Sequence, residues 1–179
     1  MSRVPFLNRE DLAPEHRPVW DGIAGSRGSV AQNFQALLNG PEAAGKLADL
    51  GGYVRFENSL DDKTKRLAAL VTAREADGDY VWTVQVPGAV ADGVSEETVR
   101  SIQRRRTPEG LSPEDEAIVG FVQELLRSHR VSDPTYDAVQ RRLGVAGVVD
   151  LLVLTGYYWM LSHALSGLEV EPPGGVSSL

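Results

Sequence analysis

Apolar positions along this chain recur at spacings of three and four, and almost no run alternates every second residue between hairpin turns, so the expected fold class is all-α. The clearest case is residues 60–75, where Leu67, Leu70, Val71 and Arg74 fall on one side of an amphipathic helix. Ser59 precedes it as an N-cap, with Asp62 three residues later completing a pair of capping-box type. Asp77-Gly78 ends it, and a second helix is expected over 79–92, stopped by Gly93 at the C′ position. Pro87 lies inside that second helix and is expected to kink it near its middle.

The same signals divide the rest of the chain. Residues 1–13 read as an extended arm, and Pro14 opens a helix over 14–24 that Pro18 either shortens or restricts to a single turn. A short helix over 30–38 closes on Asn39-Gly40, and Pro41 opens a longer one with Leu47, Leu50, Val54 and Glu57 on one side. Ser95 and Ser112-Pro113 each start a helix, and Asp133-Pro134 starts another over 135–143. Residues 145–168 form a long and strongly apolar helix, and 170–179 a flexible tail, within one domain spanning 1–179. Roughly 20 apolar residues suffice to cross a bilayer, but Asp150 and His163 inside 145–168 would be costly there. A central core helix with a face buried in an oligomer is the expectation.

Composition narrows the function. Hydrophobic residues at 42% and charged residues at 24% fit a folded globular chain. A net charge of −7 disfavours nucleic acid and anionic membranes as partners, and the run Arg104-Arg105-Arg106 reads as a solvated helix end. The N-terminus is charged within its first residues and has no apolar stretch of signal type, which points to a cytoplasmic protein. No cysteine is present, so this chain offers no thiolate nucleophile and no thiolate metal ligand. His16, His129 and His163 show no ligand spacing, and no glycine-rich phosphate loop follows a strand; no metal and no cofactor are expected.

Seven short stretches, in order, resemble the carboxymuconolactone decarboxylase family of the alkylhydroperoxidase-like superfamily. They are residues 3–12 (RVPFLNREDL), 53–60 (YVRFENSL), Thr72-Ala73-Arg74-Glu75, Tyr80-x-Trp82 with Val86-Pro87, Glu109-Gly110-Leu111, residues 128–133 (SHRVSD) and Gly156-Tyr157-Tyr158. The resemblance covers about residues 3–171 and implies a helical fold assembled as trimers or hexamers, with small-molecule pockets at subunit contacts. Redox members of that family carry a glutamate on one helix and C-x-Y-C-x-x-x-H on the next. Those positions fall here on Arg66, Gly78, Val81 and Gln85, so all four reactive groups are replaced. Peroxidase or disulfide-exchange chemistry requires a thiolate and is excluded for this chain. Gln85 cannot act as an acid or base near neutral pH.

The helical face carrying Gly78, Val81, Gln85 and Gly88 is then expected to be either a pocket widened for a bulkier ligand, with Gln85 giving one oriented hydrogen bond, or a collapsed site. Arg66 either clamps an anionic oxygen or belongs to a solvated basic face with Lys63 and Lys65. Trp82 is expected either in core packing or as part of the substrate-binding wall, and Tyr80 either packs or donates to a developing charge. His163 is a core or interface histidine, or a relocated acid–base group with Tyr53, Glu57 or Tyr157 as orienting partners. His129 reads as a helix C-cap. Two functions remain open: a cofactor-free lyase or isomerase acting on a mostly apolar molecule with a carbonyl or carboxylate, or a non-catalytic binding or scaffolding relative. The resemblance places the first in a biosynthetic or aromatic-degradation pathway.

Overall fold

The computed structural model describes residues 2–175 and 179, and contains helices and no strand among them. After two short 3-10 turns come α1 (Arg17–Arg27), α2 (Gln32–Leu37) and α3 (Pro41–Gly52), then a π-helical turn (Tyr53–Glu57). The remaining helices are α4 (Asp62–Glu75), α5 (Asp79–Ala91), α6 (Glu96–Gln103), α7 (Pro113–Ser128) and α8 (Asp133–Gly167). Pro18 and Pro113 sit in first turns, where the missing amide costs nothing. Ser95 and Ser112 cap as expected, accepting from the amides of Thr98 and Asp115 at 3.1 Å each.

The centre of the bundle is α4, not the long apolar helix near the C-terminus. Every residue over 67–73 is at most 1% exposed, because α5, α7 and α8 pack around α4 while α6 crosses one end. Ala68, Ala69 and Ala73 among the larger side chains let those neighbours approach closely. Helix α8 breaks at Gly144, whose φ of 68° and ψ of 176° separate the two expected helices. Its second arm buries Leu151, Leu154, Leu161 and Leu165 but leaves Val145, Val149, Leu152 and Met160 exposed in a stripe. By length and composition alone α8 passes for a membrane span, yet its inward face packs on α4, α5 and α7. A smaller core of Ile23, Phe34, Leu38 and Ala48 holds α1–α3 together.

Two local expectations are corrected. The cap of α4 is Asp61, whose carboxylate accepts from Thr64 N at 2.8 Å; Ser59 instead donates to Asp150. Leu50 faces outward, and α3 buries Ala44, Ala48 and Gly51. The N-terminal arm is docked: Arg3 N donates to Leu168 O at 2.9 Å and Leu7 N to Gln35 O at 3.1 Å. The tail begins packed, with Val170 buried; residues 176–178 lie outside the described residues. Arg105 is not merely solvated, since it donates to both oxygens of Asp77 at 2.8 Å.

Candidate functional site

Helices α4 and α5 run side by side and bring Arg66 and Gln85 together. Arg66 Nη1 donates to Gln85 Oε1 at 2.7 Å, and Arg66 Nε donates to Asp92 Oδ2 at 2.7 Å. The amide of Gln85 in turn donates from Nε2 to the Tyr158 hydroxyl on α8 at 3.2 Å. The chain Asp92–Arg66–Gln85–Tyr158 therefore ties three helices with polar groups that are half-buried or buried.

Two cavities open on either side of this chain, and Arg55, Arg66, Gln85 and Tyr158 line both. The first, about 240 Å³, adds Phe56, Asp62, Lys65, Asp92 and Leu154. Its acids are compensated: Asp92 by Arg66, and Asp62 by Lys65 at 2.8 Å. The second, about 210 Å³, adds Arg27, Phe34, Tyr80, Val81, Tyr157 and Leu161, with no carboxylate. Burial raises the pKa of Tyr80, and it pushes Tyr157 up to about 12 against the opposing charge of Arg27 and Arg55, so both phenols are protonated near neutral pH. Tyr80 is engaged by Asn33, whose amide donates to its hydroxyl at 3.3 Å. Burial also lowers the pKa of Arg27, which stacks over Phe34 at 4.7 Å.

Of the residues singled out from sequence, Arg66, Gln85, Tyr80, Val81 and Tyr157 meet in this cleft. Arg66 belongs to it and not to a solvated basic face. The other five lie elsewhere. Trp82 is 1% exposed in the core and lines neither cavity. Gly78 widens nothing, because the Ser162 side chain fills the space in front of it. Tyr53 donates to Asp150 at 2.6 Å, outside the cleft, and Glu57 lines a separate groove beside α1 and α3. His163 is exposed on the outer stripe of α8; its Nδ1 lies 2.9 Å from Trp159 O and its ring stacks on Trp159. None of the proposed orienting partners touches it. His129 adopts the left-handed cap at the end of α7, as expected. Among the described residues no three histidine or acidic side chains gather as a metal site.

Sequence reasoning missed Tyr158, Arg55, Arg27 and Asp92. Two of these stand inside stretches already picked out, Arg55 in 53–60 and Tyr158 beside Tyr157. Successive helical residues point about 100° apart, so choosing between the two tyrosines needed the phase of α8.

The comparisons with known proteins agree with this architecture. The sequence profile of the carboxymuconolactone decarboxylase family matches residues 41–124, the span that carries α3 to α7 and half of the cleft. The matched region is just under half of the chain, and it is similar to the carboxymuconolactone decarboxylase family. Among solved structures, the alkylhydroperoxidase AhpD core of a peroxidase-related protein from Ralstonia eutropha JMP134 superposes with a TM-score of 0.80 at 13% identity, covering 99% of this chain and 98% of that one. The debrominase Bmp8, as a Cys-to-Ala variant in complex with 2,3,4-tribromopyrrole, gives 0.76 at 15% identity over 96% and 92%. The AhpD-like protein ATU0492 of Agrobacterium tumefaciens gives 0.68 at 18% identity over 75% and 93%. At these identities the likeness is one of fold. No curated protein sequence matches the chain.

Gly88 is the residue of α5 that makes room for the cleft's polar spine. A Cβ there would sit 2.6 Å from Arg66 Cζ and 2.7 Å from its Nη2. The guanidinium ends a flexible side chain, so Gly88→Ala is expected to fold while displacing Arg66 from Gln85 and Asp92. The expected cost is about 1–2 kcal/mol, a fall in Tm of about 2–8 °C by calorimetry. An unchanged Tm would show that Arg66 re-forms both bonds.

Proposed function

We propose that the cleft around Gln85 is the working site of a non-redox enzyme of the lyase or isomerase kind, decarboxylation and cyclisation included, acting on a small, mostly apolar molecule with a carbonyl or carboxylate. The observation that carries this reading is the convergence of both cavities on a buried amide held in place by Arg66. Gln85 and Arg66 orient the ligand, and Tyr80, Val81 and Tyr157 form its walls. The superfamily supplies the scaffold, and Bmp8 offers a neighbour that acts on a small ring compound. With no cysteine in the chain, the chemistry does not run through a thiol.

A second reading, a non-catalytic binding or scaffolding member, is favoured by one feature. No imidazole lines either cavity, and both carboxylates of the first cavity are ion-paired. The readings part under native mass spectrometry of the protein with a panel of ring carboxylates and lactones. A retained adduct that Gln85→Ala and Tyr80→Phe weaken, and that changes mass with time, supports the enzyme; an adduct that never changes leaves the binder. Adducts indifferent to both substitutions would place the ligand elsewhere and sink the proposal.

The same reading includes self-association as a trimer or hexamer. Val145, Val149, Leu152 and Met160 form an apolar stripe on α8, and Phe56 and Val84 are exposed beside the cavity mouths. His163 shares the α8 stripe, so it reaches a cleft only across a subunit contact. A monomer by native mass at all working concentrations would remove both the assembly and any role for His163.

A further inference from the structure

The Gln85 amide has only one possible orientation. Arg66 can only donate, so the amide oxygen faces it, and the amide NH2 faces Tyr158. The phenol oxygen of Tyr158 therefore accepts from Gln85 and must turn its own hydrogen another way. Among the described residues no acceptor takes that hydrogen, although Tyr158 is only 5% exposed and lines both cavities. Asp92 anchors the far end of the relay through Arg66.

The charge around this hydroxyl has one sign. Burial raises the Tyr158 pKa, while Arg55, Arg66 and Arg27 all act on it in the opposite direction. Arg66 is compensated by Asp92, but Arg55 makes no ion pair among the described residues, only a stack on Phe56 at 4.9 Å. Arg27 donates from its terminal nitrogens to Ala48 O and Ser26 Oγ, at 2.7 Å each, with Tyr157 and the charge of Asp49 also acting on it, and its buried Nε has no acceptor among the described residues. A cavity with two guanidinium groups outside any ion pair among the described residues, no carboxylate in its lining and one oriented free O–H is short of an anion. Its walls are aromatic, with Phe34, Tyr80 and Tyr157 among them. Its volume, about 210 Å³, is below the roughly 300–1,000 Å³ of sites for drug-sized molecules, which suits a single ring.

We infer that the second cavity is an oxyanion site, in which Tyr158 donates to the charged oxygen of a single-ring phenolate or ring enolate while Arg27 and Arg55 supply the opposing charge. Asp92, Arg66 and Gln85 are its positioning residues. The inference rests on the cleft being a small-molecule site and adds the chemical class of what it takes. A hydrogen bond to an ionised oxygen is stronger than one to a neutral oxygen, so such a site binds the ionised form of a weak acid in preference to the neutral one.

The test uses p-nitrophenol, whose phenolate absorbs visible light, beside p-nitroanisole, a neutral analogue of nearly the same shape. At a pH where the free phenol is mostly protonated, adding the protein is expected to raise the phenolate absorbance. Tyr158→Phe and Arg55→Gln are each expected to weaken phenolate binding about tenfold and to leave p-nitroanisole within about twofold, as followed by tryptophan fluorescence. Arg55 is exposed, so its substitution tests the charge without disturbing the core. A probe bound as the neutral phenol, or p-nitroanisole bound as tightly as the phenolate, would overturn the oxyanion site and leave the small-molecule reading standing. Failure of both compounds to bind would overturn the two together.

Discussion

Replacing Asp150 with alanine is expected to destabilise the protein by about 3 kcal/mol, a fall in Tm of about 6–12 °C for a chain of this size. Asp150 is 7% exposed in the apolar arm of α8 and accepts three hydrogen bonds: from Tyr53 Oη at 2.6 Å, Ser59 Oγ at 2.6 Å and Ser59 N at 3.0 Å. These bonds clamp both ends of the Tyr53–Glu57 turn onto α8, and that turn carries Arg55 and Phe56 to the cavity mouths. Water can reach Tyr53 and Ser59 after the substitution, which is why the expected loss is less than three full charge-assisted bonds. Calorimetry on Asp150→Ala, with Asp150→Asn as the isosteric control, checks the figure. Wild-type stability in both variants would show that the turn is held by its own π-helical hydrogen bonding.

The same carboxylate gives the stability a direction with pH. Burial pushes the Asp150 pKa up, but the bonds from Ser59 and Tyr53 outweigh it and hold the group below the usual carboxylate range. A folded-state pKa below the unfolded one gives stability that is complete above about pH 4 and lost as pH falls through the folded value. Acid denaturation of the wild type should therefore steepen below about pH 4, and Asp150→Asn should lose part of that steepness.

Much of the helix framework was legible because capping is local chemistry. Ser95, Ser112-Pro113, Gly93 and His129 each act within one turn of where they stand, and each does what its neighbours in sequence imply. Ser59 misled for the same reason in reverse: it has a good capping side chain, but a buried carboxylate 91 residues away claims it and leaves Asp61 to cap α4. The site was half legible. Gln85 and Arg66 lie on adjoining helices joined by a tight turn, so their meeting follows from sequence spacing once both helices are drawn. Arg27, Arg55 and Tyr158 come from three other elements, and their convergence depends on helix phase and packing angle, which periodicity alone does not fix. For His163 the sequence left core and interface both open because its helix is apolar on nearly all sides; in the folded chain one of those apolar faces is open and carries it, which removes the core alternative.

Gly78→Ala should be the second most damaging change, at about 2–3 kcal/mol, although it adds one methyl group. The added Cβ would lie 2.5 Å from Ser162 Cβ and against its hydroxyl oxygen, in a contact between α5 and α8 where both residues are buried. Unlike Arg66 beside Gly88, Ser162 has no long side chain to swing aside. Only its backbone lies at a tolerable 3.4 Å, so Ser162→Gly in the same protein should recover at least half of the loss despite its own helix penalty of about 0.5–1 kcal/mol. A double-mutant cycle is thus expected to show a coupling of about 1 kcal/mol or more, and simple additivity would mean that the two residues do not touch. The consequence reaches the chemistry. By the sequence resemblance, Gly78 falls at a position where redox members hold a cysteine; here the space in front of it is filled by Ser162, whose buried hydroxyl has no hydrogen-bond partner among the described residues. Gly78→Cys alone should therefore destabilise the protein and yield no peroxidase activity. The space that a side chain at position 78 would need is closed from the α8 side, while the cleft beyond it is built around Gln85.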